Sequence, residues 1–298
     1  MQKKIIVLAG PTASGKTSLS ILLAQQLGIP ILSADSRQLY KRLDIGTAKP
    51  TAAELNLVRH YFINHIDIDQ KYTAGIFQKE GTELLEELWI KNDYVILSGG
   101  TGLYLQALLE GFDNLEASDE KTRNQVQEYF RNHGLNGLQI WLQKLDPVYY
   151  QQIDQNNPRR LSRGIEFNLM TGSKLSDFQK KQLKSIEFKI IPLVLLPSRD
   201  ILYQRINQRV DVMIQNGLIQ ETESLVDYWD CQSMDTVGYK EIIAFLRKKI
   251  TKEEAISLIK QHSRNYAKRQ TTWIKKFNPG LEVHDKTIEE ILKFIQKE

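Results

Sequence analysis

The segment GPTASGKT, Gly10 to Thr17, has the spacing G-x-x-x-x-G-K-[ST] and lies between a strand-like run, KIIVLAG, and a helical one, GKTSLSILLAQQL. Glycines at positions 10 and 15 let backbone N–H groups turn toward phosphate oxygens, and the dipole of the following helix favours an anion there. In such a loop Lys16 reaches the terminal phosphates, Thr17 offers a hydroxyl to magnesium, and Pro11, Thr12, Ala13 and Ser14 form the turn. The segment therefore reads as a binding site for a di- or triphosphate, ATP included. Hydrolysis of ATP requires a further acid at the end of a buried strand to hold magnesium and water. The best buried run, YVILS, ends in Ser98 and continues as GGTGLY, with no carboxylate.

Two other polar residues stand where parallel sheets place their ligands, just past the carboxyl ends of strands. They are Asp35, after PILSA, and Thr101, after YVILSGG. A carboxylate and a hydroxyl beside a phosphate site can bind and deprotonate a nucleophile that attacks a pyrophosphate ester. Position alone equally allows Asp35 to hold a turn and Thr101 to cap the helix that begins at Gly102. Arg205 and Arg209, four apart in SRDILYQRINQRV, share a helical face. They suit an anion clamp or a solvated basic surface.

These residues need a scaffold, and the pattern around them supplies one. Over the first hundred residues apolar runs (KIIVLAG, PILSADS, YFINHIDI, YVILSGG) alternate with helical stretches, among them TAGIFQKEGTELLEELWIKN and TGLYLQALLEG. That alternation implies an α/β fold with a parallel, doubly wound sheet. From about 113 to 188 the strand signal disappears, and SDEKTRNQVQEYFRNHG, LNGLQIWLQKLDP and NPRRLSRGIEFNLMTG read as helices. Strand pattern returns in KIIPLVLLP, followed by a helix capped at Ser198. The expected organisation is a core of residues 1–112 and 189–298 with an inserted all-helical domain, 113–188. In the C-terminal part Thr251/Glu254 and Thr287/Glu290 have capping-box spacing, and LEVHD reads as a further strand.

Composition is that of an ordinary globular chain, 41% hydrophobic and 26% charged, with a formal charge of +4. The single cysteine, Cys231, excludes an intramolecular disulfide and a cysteine metal cluster, and points to the reducing cytoplasm. The apolar run at the N-terminus, Ile5 to Ala9, is too short for a signal peptide, and no run reaches the ~18 apolar residues of a membrane span. His60 and His65 have no metal-ligand pattern around them and read as structural. The sequence suggests no obligate protein partner. Basic groups cluster in PRRLSR and along the helix after Thr251, where Lys260, Arg264, Lys268 and Lys275 fall near one stripe. Tyr266 and Trp273 lie on another face of that helix and read as core residues.

Taken in order, GPTASGKT, ADSRQLYKRLDIGTAKP, SGGTGLYLQALLEG, NNPRRLSRGIEFNLMTG, VGYKE and YAKRQTTWIKKF resemble the motif series of the tRNA dimethylallyltransferase family, over essentially the whole chain. The resemblance implies a P-loop NTPase-like core. It also implies transfer of a dimethylallyl group from dimethylallyl pyrophosphate to N6 of the adenosine 3′ to the anticodon of a tRNA. By resemblance Asp35 is the general base and Thr101 holds the adenine. Gly10, Pro11, Thr12, Ala13, Ser14, Gly15, Lys16 and Thr17, with Arg209, would bind the pyrophosphate leaving group together with Mg2+ at Thr17. Contacts to the tRNA anticodon stem-loop are implied for Asp35, Ser36, Arg37, Gln38 and Thr101, for Arg123, and for Arg159, Arg160, Leu161, Ser162 and Arg163. The family also implies that the tRNA lies in a channel between core and insertion; a monomer is assumed. Two segments depart from its pattern: RHYFINHIDI lacks the usual histidine pair before Leu-Ile-Asp, and Gly164 replaces an alanine, a mild helix weakener.

Overall fold

The computed structural model of the protein describes residues 2–111, 118–178, 188–277 and 280–298. The first expected boundary of the helical block, between 112 and 113, lies outside the described residues. The chain forms two compact units, Met1–Leu109 with Ile186–Glu298, and Glu110–Ser185. The first unit begins with β1 (Lys4–Ala9), α1 (Lys16–Leu27), β2 (Ile31–Ala34), α2 (Ala52–Leu57), β3 (His60–Tyr61), α3 (Ala74–Leu88), β4 (Tyr94–Gly99) and α4 (Gly102–Glu110). The second unit holds α5 (Glu120–Leu145), α6 (Pro147–Gln152), α7 (Pro158–Thr171) and α8 (Leu175–Phe178). The first unit resumes with β5 (Lys189–Val194), α9 (Arg199–Gln215), α10 (Leu218–Ser224), α11 (Tyr239–Leu246), α12 (Lys252–Phe277), β6 (Leu281–Glu282) and α13 (Ile288–Lys297).

Ile5 to Ala9 are fully buried, as a strand covered on both faces must be. β1 accordingly lies inside a six-stranded sheet of order β3-β2-β4-β1-β5-β6, in which every pair is parallel. Its register matters for the site. Ala9 pairs with Gly99 and with Val194, and Gly99 pairs with Ala34. Ala34, Gly99 and Ala9 therefore form one row, and the chain leaves three neighbouring strands side by side.

Gly99 is required in that row, because a Cβ there would lie 2.3 Å from the Ala34 carbonyl oxygen. Backbone cannot swing aside as a side chain can. Gly99→Ala is expected to cost about 1–3 kcal/mol, the usual range for overpacking, read as a lower urea midpoint. A midpoint equal to that of the parent chain would contradict the close approach.

The expected third strand, YFINHIDI, is shorter than its pattern suggests. Only His60 and Tyr61 pair as a strand, and an isolated bridge joins Tyr40 to Ile66. Phe62 and Asn64 adopt positive φ, 62° and 52°, which ends the extended run. Both C-terminal capping boxes form, with Thr251 and Thr287 each exchanging hydrogen bonds with the glutamate three residues on. Ser198 occupies the N-cap of α9 but makes no side-chain cap bond. LEVHD contributes β6.

In the second unit, Gly134 (φ 61°, ψ −164°) breaks α5 where the sequence separates two helices. α7 starts on Asn157, whose side chain accepts from the amides of Arg159 and Arg160, and stops at Gly172 with φ 67°. Its buried face, Leu161 and Ile165, packs with Val126, Leu138 and Leu142 of α5. Gly164 belongs to that contact, since a Cβ there would sit 2.7 Å from a Leu142 methyl and 2.9 Å from the Tyr149 ring. The glycine that weakens the helix lets its neighbours approach.

Candidate active site

The loops that leave Ala9, Ala34 and Gly99 bring Gly10–Thr17, Asp35 and Thr101 to one edge of the sheet. The two carboxylate oxygens of Asp35 have different surroundings. Oδ1 accepts from the amides of Arg37 (2.9 Å) and Gln38 (3.4 Å), which holds the turn. Oδ2 accepts no hydrogen bond among the described residues and is available to a ligand. The Thr101 amide donates to the Ala34 carbonyl, and its hydroxyl accepts from the Ser36 amide at 3.1 Å and donates to Ser36 Oγ at 3.3 Å. That hydroxyl is thus committed to the residue beside Asp35 rather than to capping α4. Gln38 Nε2 donates to the carbonyls of Thr47 and Ala48.

The Gly10–Thr17 loop is shaped by left-handed residues at Ala13 (φ 62°) and Gly15 (φ 101°), a backbone form that turns successive amides toward one concave surface. Ser14 Oγ is buried in it without a hydrogen-bond partner among the described residues, an arrangement that an anion's oxygens would relieve. Lys16 Nζ donates to the Pro11 carbonyl at 2.7 Å. Burial pushes its pKa down from 10.5 to about 7, against the opposing pull of Asp35 and with a further push from Arg209. The side chain retains partial solvent access, which softens that desolvation without removing it.

Arg209 Nη1 donates to Thr12 Oγ1 at 3.0 Å, and Nη2 reaches the Ala48 carbonyl at 3.5 Å. Arg205, which the sequence leaves as readily on a solvated face, donates to the Ser14 carbonyl at 3.4 Å. Both arginines therefore meet the loop. Arg209 also lines a cavity of about 550 Å³ with Ile45, Ala48, Lys49, Val212 and Met213. The 44–46 segment ahead of Ala48 is held by Glu221, whose carboxylate accepts from the amides of Asp44, Ile45 and Gly46 and from the Tyr239 hydroxyl. Among the described residues no group of three or more His, Cys, Asp or Glu could hold a metal. The donor set nevertheless suits magnesium at Thr17, because Mg2+ at phosphates takes most of its oxygens from phosphate and water.

α12 enters the site, contrary to the reading of Tyr266 and Trp273 as core. The Tyr266 hydroxyl lies beside Thr101, and burial, followed by the Asp35 charge, pushes its pKa up to about 12 against the opposing influence of Thr101. The Trp273 ring covers Gly102, where a Cβ would lie 2.3 Å from it. Gln270, which sequence reasoning passed over, accepts from the Thr12 amide and donates to the Gly100 carbonyl, each at 2.8 Å. A polar residue four positions from a tyrosine on an otherwise apolar helix face was the available signal. The expected basic stripe on α12 is partly spent inside the unit: Lys260 pairs with Asp211 at 2.6 Å, and Arg264 donates to Asn207 at 2.7 Å. Lys268 and Lys275 are exposed.

In the second unit Arg159 and Arg160 are exposed at the start of α7, and Ser162 and Arg163 are half-buried. Arg123 donates to the Ser118 carbonyl at 3.0 Å. Leu161 is fully buried in the unit's core, with its amide bonded to the Asn157 carbonyl. Its side chain packs with Val126, Leu138 and Leu142, so any contact it makes with RNA runs through its backbone.

The IPP transferase family model matches residues 38–277. A tRNA dimethylallyltransferase of Cytophaga hutchinsonii is 42% identical over 99% of this chain and 97% of its own. A crystal structure of a tRNA isopentenylpyrophosphate transferase of Bacillus halodurans superposes with TM-score 0.73 at 37% identity, covering 100% of this chain and 96% of the other. A eukaryotic dimethylallyltransferase described as acting on tRNA superposes with TM-score 0.82 at 28% identity, over 99% of this chain and 80% of that one. No helix among the described residues is long and apolar enough to cross a membrane. The chain belongs to the IPP transferase family, that of the tRNA dimethylallyltransferases, enzymes of prenyl transfer.

Proposed function

We propose that the protein transfers a dimethylallyl group from dimethylallyl pyrophosphate to N6 of the adenosine 3′-adjacent to the anticodon in tRNA. The observation that carries this reading is the convergence of an anion loop and a carboxylate with one free oxygen on a single row of strand ends. In the reaction the N6–C1 bond forms as the C1–O bond to pyrophosphate breaks, and the N6 proton passes to Asp35 Oδ2. Thr101 and Tyr266 border the acceptor. The amides of the Gly10–Thr17 loop, Lys16 and Arg209 receive the charge that develops on the departing pyrophosphate, where preorganised donors act most strongly. Magnesium, held by Thr17 and phosphate oxygens, would neutralise part of that charge. An acceptor within a stacked loop must be extruded to reach such a site.

Arg123, Arg159, Arg160, Ser162 and Arg163 contribute the RNA contacts of the second unit, and Ser36, Arg37 and Gln38 those beside the acceptor. The Arg159→Ala/Arg160→Ala double variant is expected to weaken stem-loop binding and to lower the slope of log K against log salt by about 1–2, according to how many phosphates the pair neutralises. An unchanged slope would remove both residues from the RNA surface. The function itself is tested with labelled dimethylallyl pyrophosphate and magnesium, supplied with a tRNA anticodon stem-loop, with AMP, or with neither. Label in the stem-loop is expected; label in AMP alone would refute the tRNA assignment. The protein is taken to act as a cytoplasmic monomer.

A further inference from the structure

We propose that Gln270 is a positioning residue that holds the pyrophosphate loop and the acceptor loop in register; the inference rests on the function proposed above. Gln270 is 6% exposed, and a buried amide is costly unless both of its ends are bonded. Here both are. Oε1 accepts from the Thr12 amide and Nε2 donates to the Gly100 carbonyl, each at 2.8 Å. Because one partner is an N–H and the other a C=O, they also fix which way the amide faces.

The two backbone groups belong to opposite sides of the reaction. Thr12 lies in the leaving-group loop, where its hydroxyl accepts from Arg209. Gly100 immediately precedes Thr101, whose hydroxyl meets Ser36 beside Asp35. There is no slack between them: a Cβ on Gly100 would stand 2.3 Å from Gln270 Nε2 and 3.0 Å from the Gly10 carbonyl oxygen. The same face of α12 contacts Thr101 through Tyr266 and Gly102 through Trp273. Gln270 also bonds to the Gly10–Thr17 loop, through the Thr12 amide. It thereby sets the separation between the acceptor nitrogen and the carbon that leaves pyrophosphate, and a misplacement of about 1 Å at such a point costs on the order of 100-fold in rate.

Gln270→Met matches the length and removes both bonds. It is expected to lower kcat for prenyl transfer by about 10- to 100-fold. Binding of inorganic pyrophosphate by calorimetry and of the stem-loop by fluorescence anisotropy should stay within a few-fold of the parent. Gln270→Glu adds a pH signature. As a carboxylate it still accepts from Thr12 but turns an oxygen against the Gly100 carbonyl; once protonated, its O–H can donate there as the amide did. The ratio of its kcat to that of the parent should therefore rise as pH falls. A kcat for Gln270→Met equal to the parent's, losses of pyrophosphate and stem-loop binding as large as the loss of kcat, or a flat pH ratio for Gln270→Glu would each overturn the inference alone. A parent protein inactive in prenyl transfer to the stem-loop would overturn the proposed function and this inference with it.

Discussion

Replacing Asp35 by asparagine is expected to lower kcat for prenyl transfer by about 100- to 10,000-fold, the range that general-base groups supply, while the stem-loop remains bound. Asparagine is the informative choice because Oδ1 has a structural duty toward the amides of Arg37 and Gln38. An amide oxygen can perform that duty but cannot take a proton. Asp35→Ala should show the same loss of rate, with an additional loosening of the turn at Ser36 to Gln38. Single-turnover transfer from labelled donor, measured beside stem-loop anisotropy, separates the two effects. Full activity in Asp35→Asn would assign Asp35 to the turn alone, and parallel losses of binding and rate in both variants would do the same.

The second large effect belongs to Lys16. Lys16→Met is expected to lower kcat by roughly 100- to 1,000-fold, the scale observed when one donor to a developing oxyanion is removed. The parent protein carries a pH signature of the same group. Its pKa in the free protein is pushed down to about 7 by burial, so its ammonium is lost as pH rises through that value. A bound pyrophosphate favours the ammonium and raises the pKa. Binding therefore takes up a proton above pH 7, and affinity for inorganic pyrophosphate should fall up to about tenfold per pH unit there. Below about pH 7 this dependence vanishes. For stability the sign is opposite: the penalty for burying the ammonium is fully present below the folded pKa and is relieved as pH climbs toward the ordinary value of 10.5. Calorimetry of pyrophosphate binding between pH 6 and 9 (about two units above the shifted pKa) reads the first effect. A profile that is flat in the parent protein, or identical in Lys16→Met, would separate Lys16 from the anion.

What the chain discloses directly is what neighbours in sequence can disclose. Gly15, Lys16 and Thr17 lie between a strand and a helix, so the loop follows from local pattern. Asp35 and Thr101 become candidates because each ends an apolar run, and the sheet register places both beside that loop. The rest of the site is non-local. Gln270 meets Thr12 across 258 positions, and nothing near residue 270 marks its amide as bonded at both ends. Tyr266 reads as core because its ring is indeed largely enclosed, but its hydroxyl points to Thr101. Leu161 is expected at the RNA by resemblance alone, and its i, i+4 relation to Ile165 places its side chain on the buried face of α7. YFINHIDI has strand composition, and only the left-handed residues Phe62 and Asn64 reveal that the extended run stops.

The most direct measurement of the central claim locates the transferred group. A tRNA anticodon stem-loop incubated with labelled dimethylallyl pyrophosphate, magnesium and the parent protein is digested to nucleosides and separated. Label is expected on N6 of the adenosine 3′ to the anticodon, appearing at least about 100-fold more slowly when Asp35→Asn replaces the parent. Label on another base, or transfer undiminished in Asp35→Asn, would contradict the claim.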